Sequence, residues 1–202
     1  MPHHHPVHRV LTILFLILCS ASLAQAATIN PVGISETGTY HNDSNLMIDG
    51  YLPPEGTHWQ SSFCVYWNGT TPAFVIDFGS PFDLQDIKFS VDNNDDYAID
   101  YSLDGSNWSN LVIILSSYGN IAVSPGGMDT MSSISTGPEY IPQLDFAPRQ
   151  AQYLKVYATG GDNMYSIAEL QSYGDPVPIP GAVYLLGSGL VGLVGLRRQR
   201  NK

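Results

Sequence analysis

The feature that most constrains this chain is an alternation of apolar and polar residues at every second position through its middle. The pattern recurs, with Gly, Pro, Asn and Asp between the runs, in "AFVIDFG", "DIKFSVD", "YAIDYSL" and "QYLKVYA". A period of two places the apolar side chains on one face of a β-strand. No helical period accompanies it. We therefore predict an all-β domain built as a sandwich of two sheets.

Two neighbouring segments refine this prediction. In "YSLDGSNW", Asp104 and Gly105 can supply the two positive-φ residues of a tight turn, so the runs on either side should pair as a hairpin. The continuous apolar run "LVIIL" at 111–115 is typical of a strand that is buried on both faces. Residues 116–143 are rich in Gly, Ser and Pro, and we expect a long loop with one short strand there.

The N-terminus has the pattern of a secretory signal peptide. A polar, weakly basic start is followed by the apolar run "VLTILFLILCSASLA" and then by "AQA" at 24–26. We expect cleavage between Ala26 and Ala27, which makes residues 1–26 the signal peptide and implies transport by the Sec export machinery. Only Cys64 remains after this cleavage, so the domain has no intramolecular disulfide and depends on its core.

The C-terminus has three parts in a fixed order. Residues 175–181 form a linker with alternating prolines, which cannot be helical; an apolar segment follows at 182–196 and a basic tail at 197–202. Counted from Pro180, a helix to Leu196 would span about 25 Å, against a hydrocarbon core of about 30 Å. We favour a transmembrane helix with a cytoplasmic basic tail. The alternative, a buried core helix, leaves the one-sided basic terminus unexplained.

This end of the chain resembles a PEP-CTERM sorting signal of the "VPIPGA" type. The motif residues are Val177, Pro178, Ile179, Pro180, Gly181 and Ala182. The resemblance implies an exosortase, a membrane transpeptidase-like enzyme, as a partner, in bacteria that make extracellular polysaccharide. It also implies an exported protein that is anchored in the membrane of the cell envelope at least transiently and then reaches the cell surface or extracellular matrix. The motif has no Glu between its prolines, so it does not define the processed bond.

The domain between the two ends is strongly acidic. Residues 27–175 contain 18 acidic side chains and three basic ones, Lys88, Arg149 and Lys155, which gives a net charge of −15. Such a surface repels phosphate backbones, so we do not expect nucleic acid as a partner. Acidic loops suit calcium or solubility in an ion-rich exterior.

The order of segments in residues 27–174 resembles the galactose-binding-like domain of the discoidin, or coagulation-factor type C, family. Five stretches carry the resemblance: "IDG" with "THW" at 57–59, "AFVIDFGSPFDLQDIKF", "YAIDYSLDGSNW", "AQYLKVYA" and "YSIAELQSYG". The resemblance implies a jelly-roll β-sandwich in which Trp59 and Trp108 are core residues. The inserted segment "YLPPEG" indicates an enlarged opening loop.

The same resemblance implies a structural calcium ion between the opening loop and the last strand. Asp49 and Glu169 would donate carboxylates and Thr57 an oxygen, because Ca²⁺ takes six to eight oxygen ligands. The alternative is that Asp49 caps a turn and Glu169 is solvated on an edge. A second acidic stretch, "VDNNDDY" at 91–97, lacks the Gly and distal Glu of an EF-hand, and we interpret it as a solvated turn.

Carbohydrate binding is the next hypothesis, since sugars stack on exposed aromatic rings in the loops at the end of a sandwich. The candidates are Tyr51, His58, Trp67, Tyr118 and Asn163. No nucleophile elbow, zinc-binding His-Glu-x-x-His or phosphate-binding glycine loop occurs, so we expect no enzyme. Two interpretations stand: a non-catalytic extracellular module that binds polysaccharide, or a purely structural surface or matrix protein with no specific glycan ligand.

Overall fold

A computed structural model describes residues 26–121 and 126–178. The signal peptide up to residue 25, motif residues Ile179 to Ala182, the predicted transmembrane segment and the basic tail lie outside the described residues. Within the described residues, no helix is long and apolar enough to cross a bilayer. The predicted all-β domain is confirmed, since the regular structure of these residues consists of nine strands and two short 3₁₀ helices.

The nine strands are named β1 to β9 in chain order. Their bounds are Thr28–Ile29, Gly33–Thr37, Val65–Asn68, Ala73–Asp92, Asp96–Ser102, Ser109–Ile114, Met128–Ser132, Arg149–Gly160 and Met164–Pro176. The 3₁₀ helices are Ser44–Ile48 and Pro142–Leu144. Strand β7 is the short strand expected within 116–143. Strand β9 continues through Asp175 and Pro176, two residues beyond the predicted end of the domain.

The long strand β4 joins two antiparallel layers into a sandwich. Its first part pairs with β2 and β8, and β5 and β6 extend this layer in the order β2-β4-β8-β5-β6. Its second part pairs with β7 and β9, and β9 carries both β1 and β3 on its other edge. The register shifts between Asp77 and Phe82, around Gly79, whose φ of 75° is readily adopted only by glycine.

The core fills the space between these layers and is rich in aromatic rings. Trp67 of β3 is fully buried, and its ring centroid lies 5.1 Å from that of Phe74 in β4, 6.4 Å from Tyr97 in β5 and 6.0 Å from Tyr165 in β9. The indole therefore contacts both layers. The apolar faces predicted from the alternating runs at 74–78, 87–91 and 154–158 are all buried in this core.

The central hairpin is confirmed, but two of its predicted details are wrong. Strands β5 and β6 pair, yet six residues connect them, and only Gly105 of the Asp-Gly pair has positive φ. Asp104 instead accepts hydrogen bonds from the backbone N–H groups of Ser106 and Asn107, at 2.9 and 2.8 Å. The "LVIIL" segment is buried on one face only, because β6 is the edge strand of its layer and Ile113 is exposed.

Candidate functional site

Residues 49–64 form a long loop, here called the covering loop, that is attached to strands β7 and β9. Gly50 N–H donates to both carboxylate oxygens of Glu169 in β9. Gly56 N–H donates to the Met128 carbonyl at 2.9 Å, and Met128 N–H donates to the Thr57 carbonyl at 2.8 Å. Several backbone groups of this irregular segment are therefore satisfied by the sheet, which holds the loop in one shape.

The covering loop presents two exposed aromatic rings side by side. Tyr51 is 44% exposed and Phe63 is 46% exposed, and their ring centroids lie 5.1 Å apart at an interplanar angle of 49°. This separation lies in the usual range for contacting aromatic pairs. A second aromatic row runs beside strand β3: His41 stacks on Tyr66 at 4.7 Å, Tyr66 meets Trp59 edge-on at 5.6 Å, and His58 stacks on Trp59 at 5.9 Å.

Asn42 positions the end of the covering loop that carries Phe63. Its side-chain amide donates to the carbonyls of Ser61, at 3.1 Å, and Cys64, at 2.7 Å. Asn42 itself has a φ of 69°, a left-handed conformation that Asn tolerates better than most residues. One side chain thus fixes two backbone groups on either side of Phe63.

His58 is held in one ring orientation. Its Nδ1 accepts a hydrogen bond from the backbone N–H of Gln60 at 3.1 Å. In the neutral imidazole the proton is then on Nε2, which becomes a donor. His58 is exposed, so this donor is available to a ligand at the surface.

Two of the five predicted sugar-contacting residues, Tyr51 and His58, are exposed in the covering loop, where Tyr51 contacts Phe63 and His58 stacks on Trp59. The prediction for Trp67 is wrong: it points into the core, because Val65 and Trp67 share the inward face of β3 while Tyr66 faces outward. Tyr118 packs against the core from the loop after β6. Asn163 lies in the turn before β9, where its carbonyl accepts from Gly69 N–H at 3.2 Å.

Several residues of this surface were not predicted from the sequence. They are His41, Asn42, Phe63 and Tyr66. The period of two in "VYWN" requires Tyr66 and Trp67 to face opposite sides, which is a usable signal, but the pattern does not say which ring faces outward. Trp59 and Trp108, expected in the core, are both half-buried. Trp59 packs on a small second cluster of Cys64, Met128 and Ala168, and Lys155 lies 4.5 Å from the centroid of Trp108.

Two of the three predicted calcium ligands lie at one pocket of about 210 Å³, which Asp49 and Glu169 line together. Asp49 does cap a turn, accepting from Tyr51 N–H at 2.8 Å. Glu169 is not solvated: it is 2% exposed, and burial raises the pKa of its carboxyl to about 7. Thr57 is not among the residues lining the pocket, and its hydroxyl donates to the Pro54 carbonyl at 2.5 Å. The two carboxylates suit a cation, whereas Thr57 does not fit the set.

The acidic turn after β4 is not the solvated turn expected from the sequence. Asp92 and Asp95 are both buried, and burial raises the pKa of Asp92 to about 6 and that of Asp95 to about 7. Asp95 accepts from the backbone N–H of Asp162 at 3.1 Å. Among residues 26–121 and 126–178, no group of three or more His, Cys, Asp or Glu side chains is arranged to hold a metal ion.

No protein-family model and no curated protein sequence matches the chain. Solved structures do. One is a truncated AlyQ with CBM32 and alginate lyase domains, at 16% identity and a TM-score of 0.49; the match covers 77% of this chain and 35% of that one.

Two matches span nearly the whole of the compared chain. The CBM32 of AlyQ in complex with 4,5-unsaturated mannuronic acid is 14% identical with a TM-score of 0.48, covering 73% of this chain and 98% of the other. A fucose binding module from Streptococcus pneumoniae is also 14% identical, with a TM-score of 0.51, covering 74% of this chain and 96% of the other. The described domain therefore has the β-sandwich fold of that fucose binding module.

Proposed function

We propose that this chain is an exported, non-catalytic bacterial surface or matrix protein whose β-sandwich binds carbohydrate through the covering loop. The observation that carries the proposal is the exposed pair Tyr51 and Phe63 on a loop fixed by the sheet. The rings offer an apolar surface for the C–H face of a pyranose, and the Nε2–H of His58 offers a donor from the same loop.

The rigidity of the covering loop favours binding over a merely exposed apolar patch. Attachment to Met128 and Glu169 at the sheet, and of residues 61–64 to Asn42, means that little loop entropy remains to be lost when a ligand binds. A loop without such contacts would have to be ordered when the ligand binds, and the conformational entropy lost in this step would reduce the affinity. Shared fold with a fucose binding module supports the proposal without identifying the sugar.

The arrangement of the domain's ends suits display from a membrane. Ala27 accepts a hydrogen bond from Gly174 N–H, and Val177 N–H donates to the Pro81 carbonyl, so both ends of the domain lie beside the same part of β9. The Trp59 carbonyl accepts a hydrogen bond from the hydroxyl of Ser166, which lies in β9 eleven residues before Val177. At about 3.3 Å per residue, Trp59 is up to about 36 Å from where the chain leaves the domain, and Gly50, which is held by Glu169, is up to about 26 Å from it.

Export and sorting form the second half of the proposal and depend on the sequence. The signal peptide would direct the chain to the Sec machinery, and the motif from Val177 to Ala182 would present it to an exosortase. The C-terminal segment would hold it in the membrane, at least until processing. We also propose that Asp49 and Glu169 take part in calcium binding at the pocket they share, with the other ligands supplied by backbone oxygens or water.

Binding of the full-length protein to a glycan array, and to the producer's exopolysaccharide, tests the carbohydrate proposal. We expect saturable binding that is lost in the double variant Tyr51→Ala with Phe63→Ala. The matched control is Leu103→Ala, which removes an apolar side chain of similar exposure, 50%, from the hairpin loop. Absence of binding by the wild-type chain to every glycan would instead favour the structural surface protein.

A further inference from the structure

Strand β6, Ser109–Ile114, forms one edge of its layer and presents apolar side chains to solvent. Val112 and Ile114 are buried in the core, whereas Ile113 is 52% exposed and Leu115, just after the strand, is also exposed. Strand β5 pairs with one side of β6, and no strand within 26–121 or 126–178 pairs with the other. This second side of β6 therefore has no strand partner and lies next to exposed aliphatic groups, although the carbonyls of Val112 and Leu115 already accept from the Asn110 amide and from Tyr118 N–H.

Most proteins block such an edge with charged side chains, proline or irregular backbone. Strand β6 has one bulge, between the pairs Ile99–Val112 and Asp100–Asn110, but no proline and no charge. The uncharged stretch extends from residue 105 to residue 128. This is unusual in a domain whose other segments carry 18 acidic residues.

We propose that β6 pairs with β6 of a second copy of this chain, antiparallel and about a twofold axis at Ile113. The sequence "SNLVIILSS" at 109–117 is close to a palindrome about Ile113. Antiparallel pairing places Leu111 opposite Leu115 and Val112 opposite Ile114, and the paired segment is limited to 111–115 because the chain turns at Ser116 and Ser117. Each side chain meets a partner of its own class, as a closed, isologous contact requires.

Electrostatics restricts where two copies can meet. Each domain has 18 acidic and three basic residues between 27 and 175, so two copies repel each other over most of their surface. Residues 111–115 themselves carry no charge, and the two carboxylates that flank them are already hydrogen-bonded: Asp96 accepts from Ser116 N–H at 2.7 Å and Asp100 accepts from the Asn110 amide at 3.2 Å. The paired segment is short, so we expect a weak dimer whose population depends on concentration. On a crowded cell surface, such a contact joins neighbouring sandwiches into pairs.

The twofold axis allows a direct test. In a Cys19→Ser background, Ile113→Cys places two thiols opposite each other, with Cα atoms about 4.5 to 5.5 Å apart, within the range that a disulfide spans. Cys64 is buried and does not compete. We expect a disulfide-linked dimer of the full-length chain under mild oxidation. The matched control is Leu103→Cys, with similar exposure, which should remain mainly monomeric.

Sedimentation velocity of the full-length protein in detergent micelles measures the contact without a cross-link. Ile113→Lys places two ammonium groups against each other at the axis, and we expect the dissociation constant of the dimer to rise about tenfold or more. Leu103→Lys should leave it unchanged, and any association through the C-terminal segment is common to all variants. Equal cross-linking of both cysteine variants, or equal sedimentation of Ile113→Lys and wild type, would overturn the proposal.

Discussion

Glu169 offers a quantitative test of the electrostatics at the pocket that it lines together with Asp49. Its carboxyl is 2% exposed in the centre of β9. Burial raises its pKa from 4.5 to about 7, opposed by the hydrogen bond from Gly50 N–H and reinforced by the negative charge of Asp49. The single ion pair among the described residues joins Lys155 and Asp100, so no such pair stabilises the ionised Glu169. We expect Glu169→Gln to stabilise the protein at alkaline pH.

The direction of this pH dependence follows from the protonation of Glu169 in the folded and unfolded states. Between pH 4.5 and about 7 the folded state keeps a proton on Glu169 that the unfolded state has lost. The free energy of unfolding therefore falls as pH rises through this range and is level, for this group, above it. The interval between the two pKa values corresponds to about 3 kcal/mol. In Glu169→Gln the amide oxygen can still accept from Gly50 N–H. Because glutamine does not ionise, the loss of stability between pH 4.5 and about 7 is removed for this residue.

Thermal unfolding of wild type and Glu169→Gln at pH 4.5 and pH 8, with chelator, measures the difference. We expect nearly equal Tm values at pH 4.5 and a variant that melts roughly 6 to 12 °C higher at pH 8. Asp92 and Asp95 also lower the stability as pH rises, but they do so equally in wild type and variant, so their contribution cancels in the difference between the two Tm values. Calcium at pH 8 should raise the Tm of wild type only. A variant that melts lower than wild type at pH 8 in chelator would refute the reasoning.

Three further predictions concern the core, the covering loop and the tail. Trp67→Ala should lower the free energy of unfolding by about 3 to 5 kcal/mol in denaturant titrations, because it empties the contact between both layers. Asn42→Ala should weaken glycan binding and leave the Tm nearly unchanged, since it frees the segment carrying Phe63 while leaving the main core intact. Unchanged affinity in a binding assay would contradict this. A chain ending at Pro176 should move from the membrane to the soluble fraction, and identical fractionation would count against the anchor.

The sequence was sufficient to predict features that depend only on residues close together in the chain. A period of two puts alternate side chains on opposite faces whatever the strand pairs with, so the buried apolar residues of the runs at 74–78, 87–91 and 154–158 could be predicted from the sequence. Turn chemistry likewise located the hairpin, since Gly105 adopts positive φ. The acidic composition between the two ends is likewise a property of the sequence alone.

Only the tertiary structure decided which face of a strand meets water and which segments meet each other. Tyr66 and Trp67 are adjacent aromatic residues, and packing of β3 on β9 sent the indole inward and the phenol outward. The run 111–115 is apolar on both faces, yet its place at the edge of a layer leaves Ile113 exposed. Glu169 and Gly50 are 119 residues apart and meet because the covering loop crosses to β9. Burial and contact are properties of the assembled sandwich, and no local pattern encodes which neighbours a side chain will have.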